Sequence, residues 1–297
     1  MTDCIVNEPL KGAAMPRVGG ADVMKRTAVP GRIRRAMAGV SVAAMLSMGA
    51  SSVAVAGTQG DTEALTLGMA YVVPPHVSGA KVRTPEGVAP LLAERLAELV
   101  PVKQITAAPI TQRQSDGPGL SEVDALLVPL EPGAEGDKQR VVIPTGYRAG
   151  IMAIMRTDTD IKRWEDLQGR TVCITEASGL TGQLQSRYGA IEKVYRAPAD
   201  ALLDLRIGGC DATVHDSTML QALLKFPEWK KFSARLPVQQ ERDLAFIVKR
   251  SDTELAKTLQ SRVGEWRKSD LLAKLTHQSA RDIAFEVYLD QEVPDCH

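Results

Sequence analysis

From residue 65 onward the apolar positions switch between a strand period of two and a helical period of 3.6. Residues 65–71, L-T-L-G-M-A-Y, alternate as a strand, and P-P-H-V-S-G turns the chain. Residues 86–100 place Val88, Leu91, Leu92, Leu96 and Leu99 on one helical face, with Pro90 tolerable in a first turn. V-K-Q-I-T-A predicts a second strand, and V-D-A-L-L-V-P-L (123–130) a third, apolar enough to be buried on both faces. V-V-I-P-T-G-Y-R and A-G-I-M-A-I-M-R both read as extended.

The pattern restarts after residue 156. T-V-C-I-T is a strand, T-G-Q-L-Q-S-R-Y a helix, K-V-Y-R a strand and P-A-D-A-L-L-D-L-R-I a helix. C-D-A-T-V-H-D is a strand and S-T-M-L-Q-A-L-L-K-F a helix. D-L-A-F-I-V-K-R (243–250) returns as a strand, followed by a long helix from Ser251 or Asp252, with Glu254 placed to reach back as a capping box. Each half repeats a V/C-D-A strand entry, at Val123-Asp124-Ala125 and Cys210-Asp211-Ala212. Alternating strands and helices predict parallel sheets covered by helices. Two such halves with extended segments between them predict a two-lobed clamp.

Composition narrows the class. The 297 residues carry no net charge, with 44% hydrophobic and 4% aromatic content, so no basic excess points to nucleic acid. Arg32, Arg34 and Arg35 precede a short apolar run, and Ala54 and Ala56 stand in A-x-A spacing. This predicts a signal peptide over residues 1–56, cut between Ala56 and Gly57, and a start at Met24 gives it a conventional basic region. The alternative, a membrane anchor, is disfavoured by the run's shortness and its Gly, Ser and Ala content. Residues 1–56 hold seven Lys/Arg and three Asp/Glu, which leaves the exported chain a net charge of about −4. Export also changes the meaning of Cys173, Cys210 and Cys296, which in an oxidising compartment permit one disulfide and one free thiol. No Cys/His spacing suggests zinc, and no cofactor is indicated.

One stretch carries candidate chemistry. In T-V-C-I-T-E-A-S-G-L-T-G-Q-L a strand breaks at Ala177-Ser178-Gly179 and is predicted to enter a helix at Thr181. Unpaired N–H groups at such a start suit an anion. W-E-D-L-Q-G-R-T-V-C-I-T-E-A-S-G, I-G-G-C-D-A-T-V-H-D-S and D-L-A-F-I-V-K-R-S-D-T-E-L, in that order, resemble motifs of the extracellular solute-binding proteins of ABC importers, family 3, the polar-amino-acid branch. The resemblance is best over residues 156–275. It implies an α/β, two-lobed periplasmic-binding-protein fold (type II), with crossings near 149–156 and 243–250. Lobe 1 would be residues 62–150 plus 250–297, and lobe 2 residues 156–242. It further implies a periplasmic monomer that closes on a small polar ligand and delivers it to an ABC permease. Ser178, Gly179, Leu180 and Thr181 would hold the ligand carboxylate, and Asp216 its amine. Asp216 reads equally as an N-cap for the helix that follows it. The resemblance also implies a Cys173–Cys210 disulfide between neighbouring strands.

The first lobe departs from the family pattern. Asp137 stands where the family's carboxylate-clamping arginine is expected, which leaves Lys138, Arg140 or Arg148, with Arg140 preferred. The usual aromatic cover is missing from 104–122, so Tyr71, His76 and Tyr147 are the remaining cleft candidates, with His76 reading more readily as a turn residue. A second reading is therefore a non-transport accessory protein of a periplasmic quinoprotein dehydrogenase system, binding a protein partner. For an enzyme, the chain offers no G-x-S-x-G and no metal cluster, and Glu176 alone stands out as a general acid or base.

Overall fold

In the computed structural model, residues 65–74, 78–100, 102–107, 120 and 122–291 are described. The leader with its cleavage site and Met24 start, His76, the segment 108–119 and Cys296 lie outside these residues.

The sheet is organised by two long strands. β4 (Arg140–Met155) and β9 (Gln239–Lys249) pair antiparallel from Arg140–Lys249 to Ile151–Gln239. The two extended segments predicted over 141–148 and 149–156 are thus one 16-residue strand, kinked at Gly146, whose φ of +92° suits glycine. On the far edge of β9 hangs β3 (Ala125–Leu130), followed by β1 (Leu65–Met69) and β2 (Val102–Ala107). On the far edge of β4 hangs β7 (Ala212–Asp216), followed by β5 (Thr171–Thr175) and β6 (Ile191–Tyr195), and the two-residue β8 (Ala234–Arg235) pairs with β4 alongside. β1 pairs parallel with β2 and β3, as β5 does with β6 and β7. The expected α/β fold forms: two lobes, each a mainly parallel sheet with flanking helices, joined by two crossing strands.

Helices cover the half-sheets through apolar stripes. α1 (Ala89–Leu99) buries Leu92, Ala93 and Leu96 against Leu67, Leu127 and Phe246, with Pro90 in its first turn as predicted. α5 (Thr253–Lys268) adds Leu259, Val263 and Trp266 to that cluster. Asp252 caps α5 by accepting from the Leu255 amide at 3.0 Å. Glu254 does not reach back: it stands at the second helical position, one short of the capping-box site, and pairs with Lys257 instead. α3 (Pro198–Arg206) and α4 (Ser217–Leu223) bury Leu202, Leu205, Leu220 and Leu223 in the second lobe with Trp229 and Phe232. α6 (Leu271–Asp290) begins near the α5 cluster at Leu275 and ends on α3 and α4 through Ala280, Ile283, Ala284 and Val287.

The repeated V/C-D-A entry has a structural explanation. Asp124 donates its amide to the Thr66 carbonyl (3.0 Å), while its Oδ2 accepts from the Thr66 amide (2.7 Å). Asp211 repeats both bonds with Thr171, at 2.9 and 2.8 Å. Each aspartate staples a residue at the start of the neighbouring parallel strand, the second of β1 and the first of β5, and gives its amide a side-chain acceptor. The expected disulfide joins Cys173 on β5 to Cys210 just before β7, with Cα atoms 6.0 Å apart, inside the range a bridge needs.

Two outcomes are expected. Asp211→Ala lowers stability by about 1 kcal/mol while Asp211→Asn, which keeps the acceptor, costs less than half of that; urea titration of both distinguishes them. Replacing Cys173 and Cys210 with Ser opens a loop of sequence separation 37 and costs up to about 4 kcal/mol in the chain-entropy account. An unchanged denaturation midpoint would refute a stabilising bridge.

Candidate functional site

Parallel half-sheets bring the carboxyl ends of their strands together, the usual place for a ligand in open α/β sheets. Here β5 ends at Thr175 and β7 at Asp216, side by side, and the chain leaving β1 carries Tyr71.

At this junction one side chain from the first lobe is inserted among groups of the second. Val88 is anchored in the first-lobe core, and two residues earlier Glu86 turns into the cleft. Its side chain is only 6% exposed. Glu86 Oε2 accepts from the Thr175 hydroxyl, and Oε1 accepts from the Asp216 amide (3.1 Å) and faces His215 Nδ1 (3.1 Å). His215 is fully buried. Thr213 donates its hydroxyl proton to the Cys173 carbonyl (3.0 Å), so its oxygen accepts from His215 Nε2 (2.7 Å). Both ring nitrogens are thus engaged, Nδ1 by the Glu86 carboxylate and Nε2 by the Thr213 hydroxyl. Burial pushes the Glu86 carboxyl up, but the His215 charge and the bonds from His215, Thr175 and the Asp216 amide outweigh it, so the group titrates below its ordinary 4.5.

Asp216 and Tyr147, both expected at the site, meet there. Asp216 caps α4: Oδ1 accepts from the Thr218 amide (2.8 Å), the Thr218 hydroxyl (2.7 Å) and the Met219 amide (3.1 Å). Oδ2 accepts from the Tyr147 hydroxyl at 2.8 Å, which also lies against the Thr218 hydroxyl. The capping alternative is therefore realised, and both oxygens are engaged. Burial raises the Asp216 carboxyl above its ordinary value, the Thr218, Met219 and Tyr147 bonds oppose this, and the nearby Glu86 charge adds to it. Burial, then the Asp216 charge, holds the Tyr147 hydroxyl well above its usual range, so it remains a neutral donor.

The remaining expected residues sit apart. The helix predicted at Thr181 starts later: α2 spans Gln183–Tyr188 behind Gly182, whose left-handed φ of +78° breaks the turn first. The amides of Gly182 and Gln185 bind the Glu192 carboxylate at 2.5 and 2.9 Å, so the anion at this strand-to-helix turn is one of the chain's own. Ser178 donates to the Thr175 carbonyl (2.6 Å), while Gly179 and Thr181 are exposed. Tyr71 is half-buried and faces this turn: burial first, then the Glu176 charge, raises its hydroxyl, with Arg196 opposing.

Arg140 does not reach the cluster. It stands at the start of β4, well before Ile151, the ladder partner of Asp216, up to roughly 35 Å away at the rise of a strand. There it holds Asp137 through Nε and Nη2 (3.0 and 2.6 Å), keeping that carboxyl down to about 2. Arg148 is an exposed partner of Asp243 (2.6 and 2.9 Å), and Lys138 is exposed. Sequence reasoning missed Glu86, Thr175, His215 and Thr218. His215 and Thr213 share a strand face two residues apart, a polar pair on a buried strand, and that was the available signal.

Because the Glu86 carboxyl is lowered in the folded state, its stabilisation is present above pH 4.5 and lost as pH falls through its lower folded value. Glu86→Gln is therefore expected to cost about 3 kcal/mol near neutral pH, with the gap to wild type closing in acid. Thermal unfolding of both proteins from pH 2 to 7 checks the sign.

No protein-family model matches the chain. The chain is 29% identical, over 140 residues, to the "Probable amino-acid-binding protein YxeM" of Bacillus subtilis (strain 168), a match spanning 46% of this chain and 53% of that protein. Holo ArgBP of T. maritima superposes with a TM-score of 0.44 at 22% identity, covering 71% of this chain and 93% of that one. The substrate-binding protein AbpA of Streptococcus pneumoniae, bound to L-arginine, gives 0.46 at 16% identity, covering 74% and 95%. The chain is thus similar in sequence, over about half the length of that curated relative, to a protein described as amino-acid-binding.

Proposed function

We propose that the chain is an exported solute-binding protein that closes two lobes on a small polar ligand, an amino acid or related amine, and hands it to an ABC permease. The observation that carries this reading is the convergence of Tyr147, on a crossing strand, with Glu86 of the first lobe and Asp216 and Thr175 of the second, at the carboxyl ends of β5 and β7. Similarity to an amino-acid-binding relative supports the same ligand class. In this reading Asp216 supplies charge to a ligand ammonium, Tyr147 and Tyr71 flank it, and Ser178, Gly179 and Thr181 line the adjacent turn. Closure works by differential affinity: the ligand bridges both lobes only in the closed form. Among the described residues no helix is long and apolar enough to cross a membrane.

One observation favours a second reading, an accessory protein of a quinoprotein dehydrogenase system that binds a protein partner. The cleft already holds a carboxylate of the chain itself, and the preferred clamp, Arg140, is committed to Asp137 far away.

A thermal-shift panel of amino acids, amines and small carboxylates separates the two. A ligand at 100 times its dissociation constant stabilises by about 2.7 kcal/mol. A selective hit is expected, and Asp216→Asn should weaken a cationic or zwitterionic hit at least about tenfold, which is 1.4 kcal/mol. Silence across the panel overturns the solute reading. Co-purification with the periplasmic dehydrogenase then tests the accessory one.

A further inference from the structure

Residues 81–86 form a strap that leaves the first lobe and lies on the second lobe and α6. Lys81 pairs with Asp290 (2.5 Å). Arg83 bridges Asp200 of α3 (2.6 Å) and Asp290 of α6. Thr84 donates both its amide (2.9 Å) and its hydroxyl (2.6 Å) to Glu286. The strap ends at Glu86, whose carboxylate takes three donors of the second lobe: the Thr175 hydroxyl, His215 Nδ1 and the Asp216 amide. Thr175 and His215 are fully buried. Without Glu86 these three donors would converge on a dry hollow with no acceptor, an arrangement that strongly favours a planar carboxylate.

We propose that Thr175, His215 and the Asp216 amide form a carboxylate seat, that Glu86 occupies it as a built-in ligand, and that a carboxylate-bearing solute enters only by displacing the strap. The entry step rests on the solute-binding reading, while the seat itself does not. Glu86 ties the first lobe to the second, so the strap competes with the solute and lowers its apparent affinity by the fraction of molecules in which the seat is free.

Chemical rescue tests the seat. Glu86→Ala removes the γ-carbon and the carboxylate, the volume of an acetate ion. Acetate is expected to raise the melting temperature of Glu86→Ala saturably, by at least about 3 °C, and to leave wild type unmoved. Acetamide and matched chloride should have no such effect. An acetate response equal in the two proteins, or none in a variant whose circular dichroism is native, overturns the proposal. If Glu86→Ala does not fold, Arg83→Gln loosens the strap and leaves the seat intact. The Asp216 amide, protected by Glu86, should then exchange several-fold faster, and acetate should slow it again. An Asp216 amide indifferent to both changes overturns the proposal as well. Rescue by acetate with a silent ligand panel on wild type leaves the seat standing and removes the solute reading. A panel hit without rescue does the reverse.

Discussion

Everything in this fold hangs on the antiparallel pairing of β4 with β9. Each strand gives one edge to the other and its second edge to a different lobe: β9 to β3, and β4 to β7. Among the described residues the parallel strands therefore never meet across the molecule, and this ribbon carries the backbone ladder from one half to the other. It also fixes the cleft. Tyr147 follows the irregularity at Gly146, where the ladder shifts register between Pro144 and Arg148, and there its hydroxyl reaches Asp216.

The electrostatics of the cleft follow from crowding two carboxylates into a buried place. Glu86 and Asp216 cannot both be stabilised by the same groups. Burial pushes both up; Glu86 is lowered overall by His215 and by the bonds from His215, Thr175 and the Asp216 amide, whereas the donors around Asp216 do not outweigh burial and it is raised. This division gives the lobes a reason to stay together. His215, buried in the second lobe, finds the partner of its Nδ1 in the first. Desolvation offsets much of the attraction in so buried a contact, whereas removing one partner leaves the other group buried and unpaired. The strap adds Arg83, shared between α3 and α6, so this short segment is held at several points.

Much of the architecture is legible in the sequence because it depends on local pattern. The apolar strand at 125–130, the helix behind Pro90 and the cap at Asp252 follow from period and capping chemistry, and each forms. The Cys173–Cys210 bridge follows from resemblance and strand adjacency. α6 is not anticipated: it buries Ala280, Ala284 and Ser279, small residues whose contrast with the polar face is weak. The helix expected at Thr181 fails locally too, because a left-handed glycine intervenes before it can start.

The site is only half legible. The chain's local pattern shows that Asp216 ends a strand and offers it as a cap for the next helix, since both features lie within four residues. It determined that two α/β halves share extended segments, since periodicity is a short-range property. That Arg140 lies far from the cleft emerges only on folding, because β4 is a single long strand and Arg140 binds Asp137 at its start. Only the tertiary structure brought Glu86 to Thr175, His215 and Asp216. Those partners lie 89 to 130 positions along the chain, and no local rule connects residues whose meeting depends on how two lobes close.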